Sequence, residues 1–163
     1  GLSNAVFLRI YAEMLESVFA PCEISEIWIT FPDPQMAKAR KRLTGSRFLN
    51  LYKKILIPNG LIHLKTDSPF LFTYTTELIR QNQLKAFVCT ADLYQEEGQN
   101  KILGIQTFYE QQWLSRGKTI KYLQFSLEER KLIQEPDIEI EKDNYHSETR
   151  YMNLHCKHQS SEK

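Results

Sequence analysis

The stretch ISEIWITFPDPQMAKARKR, residues 24–42, decides how this chain is read. Its first eight residues, Ile24 to Phe31, are rich in β-branched and aromatic side chains, the composition of a buried strand. Pro32-Asp33-Pro34 ends that strand abruptly, because neither proline can donate to a sheet ladder. Lys38, Arg40, Lys41 and Arg42 follow directly, so the strand stops on an acidic turn and runs into a basic loop.

The pattern then repeats. Phe48, Tyr52, Ile55 and Leu56 recur at helical spacing and predict a helix over 47–57, with Ser46 as its N-cap. Pro58-Asn59-Gly60 reads as a turn. Leu61 to Lys65 is a strand closed by Thr66-Asp67. Ser68-Pro69 then opens a helix whose apolar face is Leu71, Thr75, Leu78 and Ile79. Strands alternating with helices imply an α/β architecture, a mostly parallel sheet with helices on its faces. Ligands of such sheets bind outside the carboxyl ends of the strands. Asp33 and Asp67 both follow a strand directly, so they are expected at one edge.

Outward from this centre, residues 6–10 read as a short strand. Residues 11–20 read as a helix carried by Ala12, Leu15, Val18 and Phe19 and stopped by Pro21. Downstream, 86–93 is a strand, 101–117 is mixed with a helical turn around Trp113, and 120–126 is a last strand. From Leu127 onward nine acidic and six basic residues leave few apolar anchors. Residues 127–163 therefore read as a polar tail, peripheral or disordered, behind a domain over 1–126.

Composition narrows the function classes. No stretch of the 163 residues approaches the about 20 apolar residues of a membrane span. Three cysteines, few and far apart, argue against a disulfide scaffold, and with no export signal they favour a cytoplasmic protein. The six glycines form neither a G-x-G-x-x-G nor a phosphate loop. His155, Cys156 and His158 make an H-C-x-H cluster that lacks a fourth ligand, so no metal is assigned. His63, Trp28 and Trp113 read as packed residues. The net charge of +1 hides an asymmetry: between Pro34 and Thr66 there are eight basic residues and no acidic one. Such a run beside a strand-end carboxylate suits a phosphate array, of which RNA is the natural source. It also suits a solvated loop, just as Asp67 suits a helix cap, and Thr107 and Glu110 suit a cap and a surface acid.

Taken together, F-P-D-P at 31–34, the basic loop, K-T-D at 65–67 and T-F-Y-E at 107–110 resemble the signatures of the tRNA (guanine-N7)-methyltransferase family of TrmB type. The resemblance extends from about Gly1 to Ser126 and includes G-L-S-N at 1–4. It implies a Rossmann-like class I fold dependent on S-adenosylmethionine, and methylation of N7 of a guanosine in the tRNA variable loop. By that resemblance Asp33, Asp67, Thr107 and Glu110 line the pocket around guanine and methyl donor. Lys38, Arg40, Lys41 and Arg42 fall in the tRNA-binding loop. Asp33 and Glu13 are the cofactor contacts, Glu13 standing near where the family has an acidic residue after its third strand. Gln35 departs from the pattern, standing where the family has Trp. The family's donor-binding glycine loop and a ribose-binding acid should precede Gly1, so the fold is expected to be incomplete at its N-terminus. The partner implied is tRNA, with no membrane, and the sequence leaves room for a homodimer. Two rival readings remain: a non-catalytic RNA-binding module derived from such an enzyme, and a methyltransferase acting on a small molecule.

Overall fold

The computed structural model describes residues 3–95, 101–127 and 132–142. Four strands form one sheet: β1 (Ile24–Thr30), β2 (Leu56–Thr66), β3 (Lys85–Thr90) and β4 (Lys121–Ser126), in the order β1-β2-β4-β3. Its helices are a single turn α1 (Leu15–Val18), then α2 (Ser46–Ile55), α3 (Pro69–Gln81) and α4 (Phe108–Ser115). Ile29, Ile62, Leu64, Leu123 and Phe125 pack one sheet face against Phe48, Leu49 and Tyr52 of α2 and Leu71, Tyr74 and Leu78 of α3. A smaller cluster on the other side joins Tyr122 to Leu93, Ile120 and Trp113 of α4.

The strand–helix alternation is present, but the sheet is mixed rather than mostly parallel. β1 and β2 are parallel, with Thr30 opposite Lys65, whereas β4 runs antiparallel to both β2 and β3. The reason is topological: β4 returns from α4 and inserts between β2 and β3, so β3 keeps the direction of β2 without touching it. Among the described residues β1 lies at the sheet edge, and only Ile29 along it is buried. The strand expected at 6–10 does not form. Val6 and Phe7 are 84% and 95% exposed, and among the described residues no strand pairs with this segment to satisfy a ladder. Residues 11–20 give a 3-10 turn, Ala12–Met14, and then α1, with Ala12 and Leu15 packed on the core.

Local signals fared unevenly. Ser68 caps α3 as expected, its Oγ accepting from the Leu71 N–H at 3.1 Å with Pro69 in the first turn. Ser46 is the first residue of α2 rather than its cap, which is Gly45. Pro58-Asn59-Gly60 forms a bulge inside β2, where the pairing steps from Ile24–Leu56 to Glu26–Leu61. Asn59 takes a φ of 61°, and a Cβ on Gly60 would sit 2.9 Å from Leu56 Cδ2 and 3.1 Å from Ser25 O, so glycine alone lets the chains approach. β3 ends at Thr90, and the expected continuation to Leu93 is a turn that buries Leu93 instead.

The largest correction falls on one part of the expected tail. Residues 132–142 lie along α2 and α3 as a strap, with Ile133 buried in the main core. Side-chain amides hold it in paired hydrogen bonds, as a strand would. Asn50 Nδ2 donates to Ile133 O at 2.9 Å and its Oδ1 accepts from Ile133 N at 3.1 Å. Asn82 does the same for Gln134, at 2.9 and 2.8 Å. Gln81 bridges Glu135 O and Asp137 N at 3.1 and 2.9 Å. A polar sequence can dock when partners satisfy its backbone, even with few apolar anchors. His155, Cys156 and His158 lie outside the described residues.

Candidate functional site

The carboxyl ends of β1 and β2 lie side by side because the two strands are parallel and in register, Thr30 opposite Lys65. Asp33 and Asp67 therefore emerge at one edge. Phe31 N–H donates to Lys65 O at 2.8 Å and takes a φ of 49°, and Gln35 has a φ of 48°. Two non-glycine residues in this left-handed region cost of order 1–2 kcal/mol each. Strain held at a strand end is a pointer to function. Asp33 is exposed, and its Oδ1 accepts from Gln35 N at 2.9 Å, which closes a turn across Pro34.

Asp67 is buried and lines a groove of about 720 Å³ with Ser68, Phe70 and Thr73 on one side and Lys121, Ile138 and Lys142 on others. The docked strap thus forms a wall of that groove. Neither Asp33 nor Thr107 nor Glu110 lines it.

Thr107 and Glu110 are brought together, in the arrangement that a helix start requires. Thr107 Oγ1 accepts from Glu110 N at 3.3 Å, and the Thr107 N–H donates to Glu110 Oε2 at 3.2 Å, a reciprocal capping box on α4. Glu110 is no surface acid: it is fully buried. Its Oε1 lies 2.7 Å from Lys65 Nζ and accepts a short hydrogen bond from Tyr94. The Tyr94 phenol is pushed up, first by burial and then by its hydrogen bond to Glu110, so it serves as a donor. Lys65 also donates to Tyr94 Oη at 3.0 Å and to the carbonyls of Leu103 and Ile105 at 3.2 and 3.4 Å. It thereby draws the segment before α4 down onto the sheet. In the sequence Lys65 is one cation among eight and the first residue of K-T-D, with no role of its own. Its position on β2, one residue out of phase with Leu64 and Thr66, was the available signal that it faces the α4 side.

Of the basic loop, Lys38, Arg40 and Lys41 are exposed around a 3-10 turn, Ala39–Lys41. Arg42 is not: it is 8% exposed, its guanidinium lying 4.8 Å from the Phe70 ring centre and 4.3 Å from that of Tyr74. Its Nη2 donates to Met36 O at 2.8 Å, so Arg42 anchors the loop instead of reaching from it. Glu13 sits on the 3-10 turn before α1 and lies 3.6 Å from Arg47 Nη1. A stacked pair, Trp28 and His63, lies on the edge side of the sheet at 3.9 Å and 2°. His63 Nδ1 is 2.7 Å from Tyr122 Oη, and burial lowers the His63 pKa against a weaker opposing effect of Glu26. Its Nε2 approaches Glu26 Oε2 at 3.4 Å without hydrogen-bond geometry, so we take the ring as neutral.

A family model described as "Putative methyltransferase" matches residues 1–123. The chain belongs to this methyltransferase family. Its α/β sheet with helices on both faces is what a Rossmann-like methyltransferase fold requires of this segment. A protein of Porphyromonas gingivalis named tRNA (guanine-N(7)-)-methyltransferase is 58% identical over 152 residues, 92% of this chain and 62% of its own length. A Bacteroides thetaiotaomicron protein of the same name is 53% identical over 150 residues, 92% of this chain and 60% of its own. The same name belongs to a Mycoplasmopsis pulmonis protein, 42% identical over 102 residues, 61% of this chain and 49% of its own. The chain thus spans less than two thirds of the length of these methyltransferases. No described helix is long and apolar enough to cross a membrane.

The edge can be asked whether it fits a methyl donor. Its carboxylates suit a sulfonium, which carries a positive charge. The 163 residues contain no glycine-rich loop for the adenosine end, and Glu13 lies beside Arg47. The residues present fit one end of such a donor and not the other.

Proposed function

We propose that this chain is part of an enzyme that transfers a methyl group from S-adenosylmethionine to N7 of a guanosine in tRNA. The reading is carried by one arrangement: two carboxylates, Asp33 and Asp67, leave adjacent parallel strands at one edge, with an exposed cationic turn directly after the first. The names of the methyltransferases that it resembles supply the substrate.

The chemistry asks little of the protein beyond placement. Guanine N7 is an unprotonated acceptor facing the major groove, so no general base is needed to free it. The donor, when bound, presents a methyl group on a positively charged sulfur. Carboxylates accept hydrogen bonds only, which suits the N1–H and N2–H₂ donors on the other edge of guanine. Their charge also suits the positive charge that builds on the ring as N7 is alkylated. Asp67, buried at the groove wall, is our candidate for holding the base, and exposed Asp33 for the edge nearer the donor. Glu110 and Thr107 we assign to shaping the site through α4, and Lys38, Arg40 and Lys41 to tRNA phosphates. The exposure of those three cations favours an RNA over a small-molecule substrate.

The test is methyl transfer to unmodified tRNA, with this chain grafted in place of the matching segment of the Porphyromonas gingivalis relative. The graft is expected to form 7-methylguanosine, and its Asp67→Ala variant to lose about 10²–10³ in rate at unchanged fold. An active graft whose Asp67→Ala variant turns over normally removes Asp67 from the catalytic set. A folded but inactive graft leaves the RNA-binding reading in its place.

A further inference from the structure

The strap that the tail lays along α2 and α3 carries one carboxylate engaged from two directions. Glu135 Oε1 accepts from Ser46 N at 2.9 Å and from Ser46 Oγ at 2.7 Å, at the N-terminus of α2. Unsatisfied N–H groups and the helix dipole both favour a negative charge there. Glu135 Oε2 accepts from the Tyr74 hydroxyl at 2.5 Å. The Tyr74 phenol is pushed up, first by burial and then by Glu135, so the hydroxyl stays a donor.

Beyond Tyr74 lies Arg42, its guanidinium over the Tyr74 ring at 4.3 Å. Arg42 is the hinge of the basic loop. Its N–H donates to Ala39 O at 3.0 Å, its carbonyl accepts from Gly45 N at 2.9 Å, and its side chain holds Met36 O. The turn that exposes Lys38, Arg40 and Lys41 is therefore built on a residue whose seat is half made of Tyr74. Loop and strap also face each other across a cavity of about 350 Å³, lined by Met36, Ala39 and Arg42 on one side and Glu135 and Ile138 on the other. Every charged residue of the loop is basic, so its cations repel one another, and a fixed seat limits the shapes it can adopt.

We propose that Glu135 is a positioning residue for the basic loop: through the Tyr74 hydroxyl and the Arg42 guanidinium it fixes how Lys38, Arg40 and Lys41 meet RNA phosphates. The part concerning RNA rests on the function proposed above; the mechanical coupling does not. Glu135 lines the cavity beside the loop and not the groove beside Asp67, so its removal is read in loop cleavage and tRNA affinity.

Trypsin reads the coupling directly, because Lys38, Arg40 and Lys41 are exposed cleavage sites, while Lys54 and Arg80 in α2 and α3 serve as internal references. Wild type, Glu135→Ala, Glu135→Gln and Tyr74→Phe are compared in the full chain, together with tRNA affinity by filter binding. Loss of a charged acceptor that serves Ser46 and Tyr74 together is expected to speed cleavage in the loop about tenfold in Glu135→Ala, with Lys54 and Arg80 unchanged. Tyr74→Phe keeps the ring under Arg42 and cuts the link, and is expected to match it. Glu135→Gln retains one acceptor and is expected to fall between. The dissociation constant for tRNA should rise in the same order. Loop cleavage unchanged in Glu135→Ala or Tyr74→Phe overturns the coupling. So does cleavage that rises equally at Lys54 and Arg80, since Glu135 then serves only global stability. Loop cleavage that rises as expected in the variants, with no tRNA affinity in wild type, supports the coupling and overturns the RNA reading instead.

Discussion

Lys65 and Glu110 are the residues whose role changed most between sequence and structure. One is a cation in a basic run and the other an acid in a T-x-Y-E signature, yet they meet at 2.7 Å in the interior. Removing one member of a buried ion pair strands the other's charge, which costs about 3–5 kcal/mol. Lys65→Met is therefore expected to lower the denaturant midpoint steeply, and Lys65→Met with Glu110→Gln to recover most of the loss. Equal losses in the single and double variants would show that packing of Lys65, not its charge, matters. His63 gives the second prediction at this scale. Burial lowers its pKa below the ordinary 6.5, so the unfolded chain takes up a proton that the folded chain refuses. The sign follows: stability is fully present above about 6.5 and falls as pH drops below it, by at most about 1.4 kcal/mol per pH unit from this group. Urea midpoints between pH 7.5 and 5.5 check this, and His63→Gln should flatten the slope. A wild-type midpoint that holds or rises on acidification contradicts it.

At the scale of elements, the helix starts show how one motif can serve two ends. T-x-Y-E at 107–110 is a capping box, and Ser68-Pro69 is a cap with proline in the first turn. Both lie next to residues proposed for the site, because a helix N-terminus at the carboxyl edge of a sheet brings its cap there. Thr107→Ala is expected to cost about 1 kcal/mol, the worth of a lost cap, seen as a melting temperature lower by about 2–4 °C. Thr107→Ser should restore it. A methylation defect that persists in the serine variant would move Thr107 from shaping α4 to contacting the substrate. The start of α2 is different: its N-cap, Gly45, offers no side chain, and a carboxylate 89 residues away in sequence satisfies Ser46. No local pattern encodes that partner.

For the molecule as a whole, what matters is that β1 is an edge among the described strands and that residues 132–142 are docked. The sequence lacks a glycine-rich loop, and β1 has one neighbour among the described strands. Residues 1–163 are expected to bind S-adenosylmethionine more weakly than micromolar by isothermal titration. Micromolar affinity would mean that other residues of this chain hold the adenosine. The strap reaches the groove beside Asp67 and the anchor of the basic loop alike, so the segment furthest from the motifs in sequence shapes the surroundings of both.

Several features could be read from the residues alone. Strand–P-D-P, strand–T-D and Ser-Pro are local signals, because proline, cap and β-branched runs act over a few residues. They suffice for α/β alternation and for Asp33 and Asp67 at one edge, and the T-x-Y-E spacing suffices for a cap at α4. Tertiary structure alone decided the rest. Insertion of β4 beside β2 made the sheet mixed, and among the described residues no strand pairs with 6–10. Burial turned Glu110 and Arg42 from surface charges into anchors, and the amides of Asn50, Gln81 and Asn82 converted a polar tail into a strap. Each of these depends on a partner far away in the chain, and pairing energy at long range leaves no period or motif in the sequence that carries it.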